Sequence, residues 1–252
     1  MSDVQGPLGL ICAIPDEMAA LQGHFHGVER RQHIAGFSFI MGQLDGRPVV
    51  LVEAGIGKVN AALVGTLLFH QFGVGGLLFS GVAGGLDPTL DVGDVVIADR
   101  LVQHDYGALS GGRLKPYQPG VPPLPGFDDT HGYALADGMA PRLAAALDGV
   151  TLAGMPGTGR APVWRFGTVL TGDHFLNCAD TRRDLHARFN AQAVEMEGAA
   201  LAQVAARFGM PLVVVRALSD LAGSDSHLDF PAFARTAAAN AADIVRRIVP
   251  VF

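Results

Sequence analysis

Apolar runs of strand length alternate with stretches of helical period along the whole chain, and Gly, Pro, Asn and Asp punctuate them. Residues 8–14 read as a buried strand that ends at Pro15, Asp16 and Glu17. Proline suits a first helical turn and acids suit its positive end, so a helix follows. Residues 37–44 and 48–53 form a hairpin around the turn pair Asp45-Gly46. A helix is predicted over 60–72, with Asn60 as its cap and Gly73 beyond its end. Strands are expected at 76–80, 95–102 and 164–170, and helices at 134–147, 181–189, 196–208 and 230–248. This alternation predicts an α/β fold with a mostly parallel sheet covered on both faces. The Gly- and Pro-rich residues 107–127 read as a long excursion, and 154–162 as a loop rather than a linker.

Composition narrows the function classes. Hydrophobic residues make up 49% and charged residues 17% of the 252 positions, which excludes a disordered chain. The net charge of −6 and the lack of any basic run argue against nucleic acid as a partner. Gly or a charge breaks each apolar run before it spans a bilayer, so no membrane partner is expected. The first residues lack the pattern of a signal peptide. Cys12 and Cys178 stand far apart in no paired motif, which reads as two buried, reduced thiols of a cytoplasmic protein.

The candidate chemistry centres on Val194-Glu195-Met196-Glu197-Gly198 and on Val213-Val214-Val215-Arg216-Ala217-Leu218-Ser219-Asp220. Acids at the end of one apolar run, with an arginine and an acid closing the next, are costly to bury without partners. At the carboxyl ends of neighbouring strands such groups build a polar crevice for a ligand. The competing reading is a set of structural ion pairs. Glu17 taken alone reads as a solvated first-turn acid. Gly55-Ile56-Gly57-Lys58 and Ser80-Gly81-Val82-Ala83-Gly84-Gly85 read as tight turns after strands, and neither matches a dinucleotide fingerprint or a phosphate loop. His104 beside Asp105 reads equally as an oriented imidazole or a surface pair, while His174 and His227 stand singly. No His, Cys and carboxylate set has metal-ligand spacing, so no metal is expected.

These segments together carry a resemblance. Gly9-Leu-Ile-Cys-Ala-Ile-Pro-Asp-Glu17, Ala54-Gly-Ile-Gly-Lys-Val59, the Gly81 to Asp94 stretch, Thr171-Gly-Asp-His-Phe175, Val194 to Glu197, Val213 to Asp220 and Ser226-His-Leu-Asp-Phe230 are spread nearly end to end. The chain resembles the bacterial nucleosidases that cleave 5′-methylthioadenosine and S-adenosylhomocysteine, within the purine nucleoside phosphorylase superfamily. The resemblance implies a single α/β domain over residues 1–252, a central mixed sheet, a homodimer, and a nucleoside substrate handled without a cofactor. It also implies roles. Glu17 matches the acid that activates water, Asp220 the acid that protonates purine N7 with Ser219 beside it, and Arg216 an arginine near both nucleophile and acids. Glu197 matches the acid on the ribose hydroxyls and Met196 the residue beneath the sugar. Phe175 matches the ring stacked on the base, Leu176 the backbone that reads its edge, and Ile14, Ile56 and Phe230 the apolar lining around the 5′ group.

The chemistry agrees with that division. Breaking an N-glycosidic bond creates an oxocarbenium-like sugar and an anionic purine, so one acid must neutralise the base while another group delivers water from the opposite face. The expectation is a protonated Asp220, its pKa raised by burial, and an ionised Glu17. One departure bears on the nucleophile: Val82 stands where the family usually has Ser, whose hydroxyl helps hold phosphate in the phosphorylases. Its absence favours water. The alternatives are a phosphorylase, a nucleosidase for another nucleoside, and a nucleoside-binding protein without catalysis.

Overall fold

Leu-, Val- and Ile-rich segments form a ten-stranded mixed sheet, and the helices between them bury their apolar faces against it. The computed structural model describes residues 6–122, 132–156 and 159–252. In chain order the elements are β1 (Leu8–Cys12), α1 (Pro15–Gln22), β2 (Phe25–Ile34), β3 (Phe37–Leu44), β4 (Arg47–Glu53), α2 (Lys58–Phe72), β5 (Gly76–Gly85), β6 (Val95–Gln103), β7 (Gly107–Ser110), β8 (Arg113–Pro116), β9 (Tyr133–Ala134), α3 (Met139–Ala146), β10 (Trp164–Thr171), α4 (Ala179–Phe189), β11 (Ala193–Glu195), α5 (Gly198–Phe208), β12 (Leu212–Asp220) and α6 (Ser226–Ile248).

β1 runs parallel to both β4 and β5, and β5 runs parallel to β12. β12 meets β6 antiparallel, β6 meets β10 parallel, and β10 meets β11 parallel. β11 then returns to pair antiparallel with the end of β5. Strands β5, β12, β6, β10 and β11 therefore close into a ring, with β1, β4, β3 and β2 extending from one side. Alternation along β12 sends Val213, Val215 and Ala217 into the core beneath α1, α3 and α6, and Val214 and Leu218 into the core beneath α2 and α5. This is the single-domain, mixed α/β architecture the sequence predicts.

Several expectations need correction. Residues 25–34 form β2, which no apolar alternation announces, because it is an edge strand paired only with β3 and mostly exposed. Ser80 to Gly85 is no turn but the second half of β5, buried throughout. Asn60 does not cap α2. Its amide donates to the Ile56 carbonyl at 2.9 Å, and the cap position is Gly57. Gly73 does end that helix, in the left-handed conformation. Helix α3 begins at Met139 rather than residue 134, and α5 at Gly198 rather than 196, while α6 begins earlier, at Ser226. The excursion after β6 contains the β7–β8 hairpin, and residues 123–127 of it lie outside the described residues. Cys12 is buried as expected, but Cys178 is exposed. No described helix is long and apolar enough to cross a membrane.

Candidate active site

The ends of β5, β11 and β12, the segments after β1, β4 and β10, and α6 converge on one cleft. Glu17 enters it from the first turn of α1. The sequence offers a solvated acid there, but Glu17 is only 3% exposed. Its Oε2 accepts the N–H groups of Ala13 and Ile14 at 2.6 and 3.2 Å, and its Oε1 accepts that of Val82 at 2.9 Å. Burial pushes its pKa up, against the Arg216 guanidinium and these three N–H donors.

Arg216 is fully buried one layer behind the cleft wall. It lies on the β12 face shared with Val214 and Leu218, stacks 3.8 Å above the Phe79 ring, and pairs with Glu195 and, at 3.2 Å, with Glu197. Burial works against its charge, yet Glu195, Glu197 and Glu17 outweigh that and raise its pKa. In register on β5, the residue opposite Arg216 is Gly81. A Cβ there would collide with Arg216 Nη1 and lie 2.5 Å from Glu17 Oε1. Gly84, opposite Asp220, would place its Cβ 3.1 Å from that carboxylate. The glycines of this stretch therefore make room for the charged groups of the next strand, which is a different use from cradling phosphate.

Glu195 stands opposite Thr171 in register and receives its hydroxyl, the Arg216 guanidinium, and the N–H groups of Glu197 and Gly198 at 3.1 and 2.8 Å. The Thr171 hydroxyl in turn accepts the Ala199 N–H at 2.8 Å. These two side chains cap α5, whose own cap position has no side-chain bond. That helix start fixes Glu197, whose Oε1 accepts the Gly57 N–H at 2.7 Å. Burial and then Glu195 raise the Glu197 pKa to about 7. Three acids around one guanidinium leave an excess of negative charge in a buried site, which works against ionisation of Glu197.

Asp220 closes β12 and is 3% exposed. Its Oδ1 accepts the Ala222 N–H at 2.8 Å and its Oδ2 the Ser219 hydroxyl at 3.1 Å. It forms no ion pair among the described residues. Burial raises its pKa above the ordinary aspartate range.

The cleft brings together Ile14, Glu17, Ile56, Val82, Phe175, Leu176, Met196, Glu197, Ser219, Asp220 and Phe230. Of the predicted site residues only Arg216 does not line it. Phe175 is half exposed and meets Phe230 edge to face at 5.9 Å. His174 also lines the cleft, 6.1 Å from the His104 ring, and a lone histidine in the sequence gave no sign of this. Ala13 and Val82 serve Glu17 through their main chains, a contribution that side-chain identity does not encode.

Comparison with known proteins follows the same lines. The phosphorylase superfamily model matches residues 7–250. A 5′-methylthioadenosine/S-adenosylhomocysteine nucleosidase from Mycobacterium tuberculosis is 49% identical over 248 residues, covering 97% of each chain. The Neisseria meningitidis nucleosidase of that name, solved with methylthio-immucillin-A, superposes with a TM-score of 0.82 at 30% identity, covering 98% of this chain and 99% of that one. Futalosine hydrolase of Helicobacter pylori superposes with a TM-score of 0.82 at 28% identity, covering 98% of both. The fold and the site define a phosphorylase-superfamily protein. Within that superfamily, the chain belongs to the 5′-methylthioadenosine/S-adenosylhomocysteine nucleosidase family.

Proposed function

We propose that the protein hydrolyses the N-glycosidic bond of 5′-methylthioadenosine and S-adenosylhomocysteine and releases adenine, with Glu17 and Asp220 as the opposed acid–base pair. The observation that carries this reading is their unlike wiring within one cleft. Glu17 accepts three main-chain N–H groups and feels the charge of Arg216, and both favour its carboxylate form against the burial that raises its pKa, which suits it to take a proton from water. Asp220 has no cation paired to it among the described residues and a raised pKa, the surroundings of a carboxylic acid that gives one to purine N7. Proton delivery to N7 lets the base leave neutral. The oxocarbenium-like sugar is then attacked from the Glu17 side, and Glu197 holds the ribose hydroxyls above Met196. Phe175 and Leu176 bind the base, and Ile14, Ile56 and Phe230 bind the 5′ substituent. Arg216 acts through the acids it pairs with.

Water is the nucleophile in this reading. Val82 presents an apolar side chain beside Glu17, and the buried cation of the site is already committed to acids. Adenine release is expected to proceed at the same rate with and without phosphate, yielding the free sugar. Strict phosphate dependence with formation of a sugar 1-phosphate would refute it. A second reading, hydrolysis of another purine nucleoside, is supported by the equal superposition on futalosine hydrolase. A substrate panel spanning 6-amino and 6-oxo purine nucleosides with varied 5′ groups separates the two by kcat/KM.

The protein acts as a homodimer in the cytoplasm. Val59 and Leu63 are exposed one turn apart on α2, next to the exposed Ile56 at the cleft, an apolar patch suited to a second copy. Cys12 and Cys178 are unpaired, as in a reducing compartment. Sedimentation as a species of 26.3 kDa would overturn the dimer.

A further inference from the structure

Outside the reacting groups, one polar cluster joins both walls of the cleft. Lys58, the first residue of α2, reaches across to the segment after β6 with its Nζ 2.7 Å from Asp105 Oδ1. The other oxygen of Asp105 accepts the Asp173 N–H at 2.9 Å. Asp173 Oδ1 accepts the Lys58 main-chain N–H at 3.0 Å, and its Oδ2 lies 3.6 Å from Lys58 Nζ. The circuit is closed: each of the three residues contacts the other two. Two further features make it more than a surface ion pair. Helix α2 has glycine at its cap position and no cap of its own, so Asp173 caps it from a different segment. Lys58 and Asp105 are also largely shielded, with side chains 19% and 13% exposed, while Asp173 is about half exposed. Burial works against the Asp105 charge, but Lys58 and the Asp173 N–H outweigh it and hold its pKa down.

The position of the cluster gives it a task. Immediately before Lys58, the Gly57 N–H grips Glu197, and Ile56 lines the cleft. Gly57 has φ of 103°, a conformation open to glycine alone. Immediately after Asp173, His174, Phe175 and Leu176 line the other wall. We propose that Lys58, Asp105 and Asp173 are positioning residues that clamp the ribose-side turn to the base-side segment and so set the affinity for the nucleoside. The inference rests on the assignment of Glu197 to the ribose and of Phe175 and Leu176 to the base.

The clamp touches no reacting atom. Its loss weakens ground state and transition state alike, which raises KM and spares kcat. Lys58→Met and Asp105→Asn, measured on the full chain with 5′-methylthioadenosine, are each expected to raise KM about fivefold or more. Their kcat should stay within about threefold of the parent and their Tm within a few degrees. The double variant should be no worse than the more affected single variant, and Lys58→Arg should retain most of the affinity. Unchanged KM in both single variants, losses that add in the double variant, or KM losses that simply follow a fall in Tm would overturn the clamp. If the unsubstituted protein releases no adenine, the proposed activity fails instead, so the two failures are told apart.

Discussion

Asp220→Asn should lose at least about a hundredfold in kcat while still binding the nucleoside, because an acid–base group of this kind contributes roughly 10²–10⁴-fold. The amide preserves the shape of the side chain and can still accept the Ala222 N–H that orients Oδ1. It has no transferable proton for the departing purine. The same logic fixes the pH dependence of the parent. The raised pKa of Asp220 favours its protonated form above the usual aspartate range, and the proposed proton transfer to N7 requires that form. As pH rises through that pKa the acid is lost, so turnover falls on the alkaline side. Stopped product assays give kcat and its pH profile, and calorimetry gives nucleoside affinity. Near-normal kcat in this variant would remove Asp220 from the chemistry.

Gly81→Ala should destabilise the fold by about 3 kcal/mol or more and abolish most activity, an effect far beyond what one methyl group does at a surface. The added carbon has no free direction. It meets the Arg216 guanidinium on one side and Glu17 Oε1 at 2.5 Å on the other, both inside a buried charge cluster. Moving Arg216 breaks its pairs with Glu195 and Glu197, and an uncompensated buried acid costs several kcal/mol. Moving Glu17 breaks its contacts with Ala13, Ile14 and Val82. Denaturant unfolding and adenine release should therefore fail together. A variant as stable and active as the parent would show that the cluster tolerates displacement.

Much of this was legible in the sequence because burying charge leaves a pattern. Glu197, Arg216 and Asp220 close apolar runs, and such residues stay there only if the fold gathers them around a common site; Glu17 by itself read as a solvated acid, and only the resemblance placed it with them. The alternation of apolar strands with helical periods gave the α/β class for the same reason: each element has to bury one face. What escaped was carried by backbone or by long-range pairing. β2 is polar because it is an edge strand, so no alternation marks it. The Ser80 to Gly85 glycines looked like a turn because their cause lies in the register with β12, which no local window contains. Asn60 was a reasonable cap by residue type, but the donor of α2 is served by Asp173, more than a hundred positions away. Cys178 illustrates the converse. A cysteine is usually buried, and this one is exposed at the cap position of α4.

The central claim is spatial: one ribosyl carbon lies between a base-side acid that holds a proton and a water-side acid that lacks one. A crystal structure of Asp220→Asn soaked with intact 5′-methylthioadenosine tests it most directly. Purine N7 is expected at residue 220, the ribose hydroxyls on Glu197, and an ordered water bonded to Glu17 on the opposite face of the anomeric carbon. A nucleoside bound with its base against Glu17, or with its anomeric carbon out of reach of any water held by Glu17, would contradict it.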